Sequence, residues 1–169
     1  MNAAWDKDCI SCQAIRASKR INKVPRVMET KNWVVEHGYP TSIRGWMVIM
    51  PKRHVVAVHE LTRDEMEEFG DLLQAVCLGQ HELYETEKEY FVQYSEGEGY
   101  SHLNIHIVPR LEKWPDAMKG FGVFSGIGEN IQNPITEMAA AEESMKLQTY
   151  LLKHLPARIL NYRPEIVRK

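Results

Sequence analysis

The sequence has no long hydrophobic run. Its longest apolar stretches, Trp46 to Met50 and Val55 to Val58, fall far short of the roughly 20 residues that cross a bilayer. The amino terminus also lacks the apolar segment of a signal peptide, so a soluble, cytoplasmic protein with no membrane partner is expected. Nor does charge of one sign dominate. Lys+Arg 21 against Asp+Glu 23 gives a formal net charge of -2, so no basic field draws the chain to nucleic acid and any phosphate binding must be local. Cysteine is scarce, and an odd count of 3 argues against a disulfide framework. No repeat, low-complexity tract or Gly/Ser-rich linker divides the 169 residues, which suit one domain with a sizeable core. Histidine, by contrast, is plentiful: 7 in so short a chain.

The early part alternates short apolar strands with turn signals: Val24 to Glu29, Asn32 to Glu36, then Gly38-Tyr39-Pro40 leading into Trp46 to Met50. Thr62-Arg63-Asp64-Glu65 has the form of a capping box and predicts a helix start. Met66, Phe69, Leu73, Val76, Cys77, Leu83 and Tyr84 then recur at helical spacing as far as about Glu85. Two strands follow, Tyr90 to Tyr94 and His102 to Val108, the second ended by Pro109. Trp114 to Gly128 reads as a loop rich in Gly and aromatic residues, a type of segment that often serves as a lid. A second helix is predicted over Thr136 to Leu155, with Thr136 as N-cap, a Glu142 to Lys146 pair and Pro156 past its end.

In an extended strand His102, Asn104 and His106 share one face while Leu103, Ile105 and Ile107 share the other. The polar row lies next to a Gly-containing loop whose amides could hold an anion, which makes a phosphate or metal site one reading. A polar, solvent-facing sheet edge is the other, and spacing alone leaves both open. Cys9 and Cys12 have the two-residue gap that closes two thiolates on one metal. The pair could also be a thioredoxin-type redox motif, although that normally opens a helix after a buried strand.

His102-Leu103-Asn104-Ile105-His106-Ile107-Val108-Pro109-Arg110 resembles the signature strand of the histidine triad (HIT) superfamily, His-φ-His-φ-His-φ-φ. Gly45 to His54 resembles the family's glycine, hydrophobic strand and Pro-Lys-x-His segment, and Glu60-Leu61-Thr62 the opening of its long helix. Cys9-Ile10-Ser11-Cys12 resembles the Cys-x-x-Cys of the zinc-binding branch. The resemblance spans about Cys9 to Gly128, in family order and spacing. It implies an α/β (α+β) fold over residues 1–130, an antiparallel sheet with one long helix; the C-terminal helical extension, residues 131–169, lies outside the resemblance and is expected to pack on the same domain. The resemblance also implies a homodimer, a nucleoside phosphate or dinucleotide ligand, and a structural Zn2+ held by Cys9, Cys12, His54 and His102. Four protein ligands leave no open position, so the metal's role would be in folding.

In the family the middle histidine attacks the α-phosphorus and forms a nucleotidyl-histidine intermediate, as in hydrolases of nucleoside phosphoramidates or dinucleoside polyphosphates. Here that position is Asn104, whose delocalised amide is no nucleophile but can still donate and accept hydrogen bonds. Three explanations fit: a native loss or change of chemistry, an introduced substitution that traps substrate, or a role taken over by His106. The last fits worst, since His106 lies roughly 6.6 Å along the strand. The resemblance thus leaves an enzyme of altered activity beside a non-catalytic nucleotide-binding or sensing module. The site residues it points to are Asn104 and His106 at the catalytic positions and Glu98, Gly99, Tyr100, Ser101 and His106 around phosphate, largely through loop amides. Gly99-Tyr100-Ser101 replaces the Gln-Ser/Thr of many members, and His37-Gly38 stands near where an acidic ribose ligand often lies.

The remaining candidates read as structural. Cys77 is expected to pack on the helix's apolar face, and His59, His81 and His154 to lie at the surface. Lys52 and Arg110 read as strand-end charges. Trp114, Phe121 and Phe124 could cover a base, though folding into the loop's own core is the commoner outcome.

Overall fold

The computed structural model describes residues 5–16, 24–128 and 131–160. The element order is α1 (Ile10–Ile15), β1 (Met28–Glu29), β2 (Trp33–His37), β3 (Met47–Pro51), α2 (Arg63–Tyr84), β4 (Lys88–Val92), β5 (Ile105–Arg110), α3 (Glu137–His154) and α4 (Ala157–Leu160). The five strands form one antiparallel sheet in the order β1-β2-β3-β5-β4. The position near residue 130 expected to divide domain from extension falls at residues 129–130, outside the described residues, as does the end of the extension beyond residue 160.

Alternation along the strands builds two cores. Trp33, Val35, Met47, Ile49, Ile105 and Ile107 face a cluster with Leu72, Ala75 and Val76 of α2 and Leu147 and Leu151 of α3. Val34, Trp46, Val48, Met50 and Val108 face the other way and pack with Ile15, Ile43 and Val123. The sheet is therefore a middle layer, which is why β3 is buried at every position and reads as a continuous apolar run. No helix among the described residues is long and apolar enough to cross a membrane.

The capping box at Thr62 and Glu65 forms as its sequence predicts, with the Thr62 hydroxyl accepting the Glu65 amide and the Glu65 carboxylate accepting the Thr62 amide. Glu65 also holds Arg53, at 2.8 Å. The buried face of α2 is set by Leu72, Ala75, Val76, Gly79 and Gln80, whereas Met66, expected inside, is 40% exposed. Gly79 lets α3 approach: a Cβ there would sit 2.5 Å from Leu147 Cδ1. Thr136 caps α3 by accepting the Ala139 amide.

Several expectations need correction. Lys146 pairs with the buried Glu143 at 3.1 Å, not with Glu142, because Glu143 faces inward beside Arg44 (2.9 Å) and the Tyr84 hydroxyl (2.8 Å). Burial pushes the Glu143 carboxyl up, but the bonds from Tyr84, Lys146 and Arg44 outweigh it and hold the group below its usual range. Pro109 does not end β5, which continues to Arg110. Arg110 O accepts from Glu87 on the β4 side, so Pro109, one residue earlier, turns its missing N–H toward β3, whose pairing has already stopped at Met47↔Ile107. β1 is shorter than the Val24 to Glu29 expected, and β5 starts at Ile105 rather than His102. The segment Trp114 to Gly128 is not a bare loop but two short 3-10 turns, Asp116–Met118 and Gly120–Gly126.

Candidate metal centre and phosphate site

The candidate metal centre is assembled from three separate pieces of chain. Cys9 is the N-cap of α1, and its Sγ accepts the Cys12 amide at 3.4 Å, so one turn of helix brings the two sulfurs together. His54 follows β3 on the Pro-Lys-x-His turn. His102 precedes β5 in an irregular run, tied down by the Leu103 amide donating to Val55 O at 2.7 Å. The ligand atoms of Cys9, Cys12, His54 and His102 all lie within 4.8 Å of one another. Cys12 Sγ is 3.3 Å from both His54 Nδ1 and His102 Nδ1, and Cys9 Sγ is 3.8 Å from His102 Nδ1.

The three separations of 3.3, 3.3 and 3.8 Å fit a tetrahedral zinc. Bonds of about 2.3 Å to sulfur and about 2.0 Å to nitrogen put ligand atoms about 3.3–3.8 Å apart. The surroundings also suit the ion. His102 Nε2 donates to Pro51 O at 2.8 Å, which leaves the Nδ1 lone pair directed at the cluster, and Asp6 Oδ2 lies 3.9 Å from His54 Nε2. Burial pushes the Cys12 thiol up to about 11, so without metal the thiol keeps its proton at neutral pH, and a bound cation would displace it. Against the redox-pair alternative, two histidines converge on the pair, His54 Nδ1 and His102 Nδ1 each 3.3 Å from Cys12 Sγ.

Beyond His102, Asn104 Nδ2 donates to His102 O at 3.0 Å, and the Asn104 amide donates to Ser95 Oγ at 3.1 Å. His106 is paired with Val48 across β3 and β5, which brings Trp46 within diagonal reach. The Trp46 indole N–H donates to His106 Nδ1 at 2.9 Å. Indole can only donate, so Nδ1 carries the lone pair and the neutral ring has its proton on Nε2, ready to donate to an anion. Burial pushes the His106 ring down to about 4.

A testable consequence follows for this ring. In 15N NMR spectra His106 should show an unprotonated Nδ1 and a protonated Nε2, with no titration between pH 8 and about pH 5. Trp46→Phe should abolish that signature. Because the ring stays neutral when folded and protonates when unfolded, it leaves stability unaffected above its ordinary value of 6.5 and subtracts from it as pH falls toward about 4.

The loop before His102 offers fewer donors than the sequence suggested. The Tyr100 amide closes a turn onto Gly97 O at 2.8 Å and is not available to an anion. Among the described residues the amides of Glu98, Gly99 and Ser101 have no internal partner. Gly99, at φ 75, carries the turn, and a Cβ there would meet Ile10 Cδ1 at 2.8 Å. Two open grooves, of about 440 and 630 Å³, lie along β4 with Gly120–Phe124 and around Ser42, Met118 and Ile127, and neither is lined by Asn104 or His106.

Other expected residues are absorbed by the fold. His37 is buried, donating from Nδ1 to Gly38 O at 2.7 Å and accepting the Gly45 amide at 3.2 Å on Nε2. Lys52 pairs with Glu29, and Arg110 with Glu87. Cys77 packs against the helical core, its thiol pushed up to about 12 by burial. His59, His81 and His154 are exposed, away from the cluster. Trp114 and Phe124 pack on the second core, whereas Phe121 is 84% exposed. Sequence reasoning missed Trp46, Ser95, Ile10 and the Pro51 carbonyl, because each reaches the site through a pairing register or a turn that spacing does not encode.

No model of a known protein family matches the sequence, and no curated protein matches it. Solved structures do match. A HIT-like protein involved in cell-cycle regulation from Bartonella henselae, with an unknown ligand, gives a TM-score of 0.66 at 18% identity, covering 88% of this chain and 99% of that one. A Zn-bound histidine triad family protein from Mycobacterium smegmatis gives 0.59 at 16% identity, covering 86% and 94%. The diadenosine triphosphate hydrolase of Plasmodium falciparum, in complex with Cyclomarin A, gives 0.58 at 17% identity, covering 79% and 80%. At these identities the likeness is one of fold.

Proposed function

Since the chain has the histidine triad fold and a Cys/His cluster of the kind that marks its zinc-binding branch, we propose that it is a zinc-stabilised nucleoside phosphate-binding protein related to the family's nucleotide hydrolases. The observation that carries this reading is the run following the cluster. Asn104 and the neutral His106 stand two and four residues beyond His102, at the positions of the second and third histidines of the triad. In this reading the amides of Glu98, Gly99 and Ser101, the Asn104 side chain and the His106 Nε2–H hold the phosphate. Five neutral donors can do so without the basic surface that the composition lacks.

Cys9, Cys12, His54 and His102 would hold the metal and so tie α1 to the runs before β5 and after β3; with four protein ligands its contribution would be to folding rather than to chemistry on a substrate. Asn104 fixes the chemistry that remains: the phosphate is bound and oriented, and no covalent nucleotidyl intermediate forms. A second copy of the chain is the partner this reading includes. β4 is a free sheet edge, and Phe91 and Tyr94 beside it are more than half exposed.

Binding is tested with a panel of nucleoside mono-, di- and triphosphates, dinucleoside polyphosphates and inorganic phosphate, followed by thermal shift. Stabilisation by nucleoside phosphates with no turnover is the expected result. A zinc-stapled interaction domain with no nucleotide site would show no shift with any of them, and the reading would fall.

A further inference from the structure

The metal cluster and the anion loop share a physical link. Ile10 lies between the ligands Cys9 and Cys12 in the first turn of α1. Its amide donates to Gly99 O at 3.1 Å, and its side chain packs directly on Gly99. Three residues further on, His102 Nδ1 sits 3.3 Å from Cys12 Sγ. The run Gly99 to His102 is thus anchored at both ends to one turn of helix, and the Ser101 amide lies between the anchors. His102 O in turn accepts the Asn104 side chain. The far end of α1 is tied elsewhere: Arg26 Nη2 donates to Ala14 O and Ile15 O at 3.3 and 2.9 Å, while its Nε holds Glu36 of β2 at 2.9 Å.

We propose that Ile10 is a positioning residue that couples the two sites, so that metal at the cluster tightens phosphate binding at the loop and phosphate at the loop tightens the metal. The coupling deepens the nucleotide-binding reading above and rests on it. A metal that fixes both sulfurs also fixes the direction of the Ile10 N–H, and with it the position of Gly99. A phosphate that orders residues 98–101 fixes the same bond from the other side. Linkage then requires the two effects to be equal in size, and couplings of this kind are typically about 5–150-fold.

One substitution isolates the link. Ile10 is the first helical residue, where proline is well tolerated because that amide has no partner within the helix. Cys9 before it is extended, at φ -80 and ψ 120, a conformation that a following proline favours. Ile10→Pro therefore deletes the bond to Gly99 while leaving all four metal ligands and the helix in place. Ile10→Ala keeps the amide and removes only the packing.

The experiment follows transfer of zinc from the full-length, zinc-loaded chain to a chromogenic chelator, with and without adenosine 5′-monophosphate, whose binding is measured separately by calorimetry. In the wild type the nucleotide should slow transfer about tenfold. In Ile10→Pro the slowing should vanish with zinc still near one per chain, and Ile10→Ala should fall between. Should Ile10→Pro not retain zinc, Ile10→Ala carries the test, and slowing equal to that of the unsubstituted chain would then overturn the coupling. Nucleotide that binds yet leaves zinc transfer unchanged, or slowing that persists in Ile10→Pro, would overturn the coupling. No nucleotide binding at all would overturn the reading beneath it, and the coupling with it.

Discussion

Asn104→His should convert the chain from a binder into a hydrolase, raising turnover of a nucleoside phosphoramidate or a dinucleoside polyphosphate by about three to six orders of magnitude. The upper figure is the cost of losing a nucleophile in a well-studied protease, about a millionfold. The lower allows for surroundings not tuned to the new side chain. The geometry favours the gain. Asn104 Nδ2 donates to His102 O at 3.0 Å, and a histidine at the same Cβ can make that bond with its Nδ1–H. Its Nε2 would then carry a free lone pair outward, the tautomer required for attack on phosphorus. The bond from Nε2 to phosphorus would form as the leaving group departs, and water would then release the nucleotide. His106 is left as it is, with Nδ1 on Trp46 and its Nε2–H available to the phosphate of the proposed site. Equal rates in the two forms would remove position 104 from the mechanism.

Removing one metal ligand should have the largest effect on stability. Cys12 and His102 are 90 residues apart in the chain, and a metal held between them would close that loop as a covalent cross-link does. For a loop of that size the chain-entropy term is worth about 4.6 kcal/mol. In a chain of this length, losing it lowers Tm by about 9–18 °C. Cys12→Ser should therefore lose its zinc, from about one ion per chain to nearly none, and unfold at least about 9 °C below the wild type. The wild type treated with a strong chelator should unfold at the same lowered temperature. A Cys12→Ser variant with unchanged Tm and no zinc in either form would mean that the cluster holds no structural metal.

Much of this arrangement is legible in the sequence wherever one residue type has one physical outcome. Thr62 and Glu65 can satisfy each other's orphan amides in only one way, and the helix starts there. The alternation in Met47 to Met50 is a statement about two faces, and both faces find their cores. Cys9 and Cys12 are brought together by a single turn, and the Pro-Lys-x-His segment carries His54 to them.

Other features depend on the partner strand or helix and cannot be read from spacing. Pro109 reads as a strand end, yet its missing donor falls on the side where β3 no longer pairs. Glu142 and Lys146 have ideal helical spacing, but tertiary packing turns Glu143 inward, and Lys146 follows the buried charge. Met66 keeps the helical period and is exposed, because the buried side of α2 runs through Glu65, Leu72, Ala75 and Val76 instead. The bond from Trp46 to His106 joins residues 60 apart, through a register that only the folded sheet defines.

The central claim is that phosphate binds beside Asn104 and His106, and a titration of the zinc-loaded, 15N-labelled chain with adenosine 5′-monophosphate tests it most directly. The account predicts saturable shifts centred on the amides of Glu98, Gly99 and Ser101, the side-chain amide of Asn104 and the Nε2–H of His106. No shifts at all would contradict it. So would shifts centred instead on the groove between β4 and Gly120–Phe124.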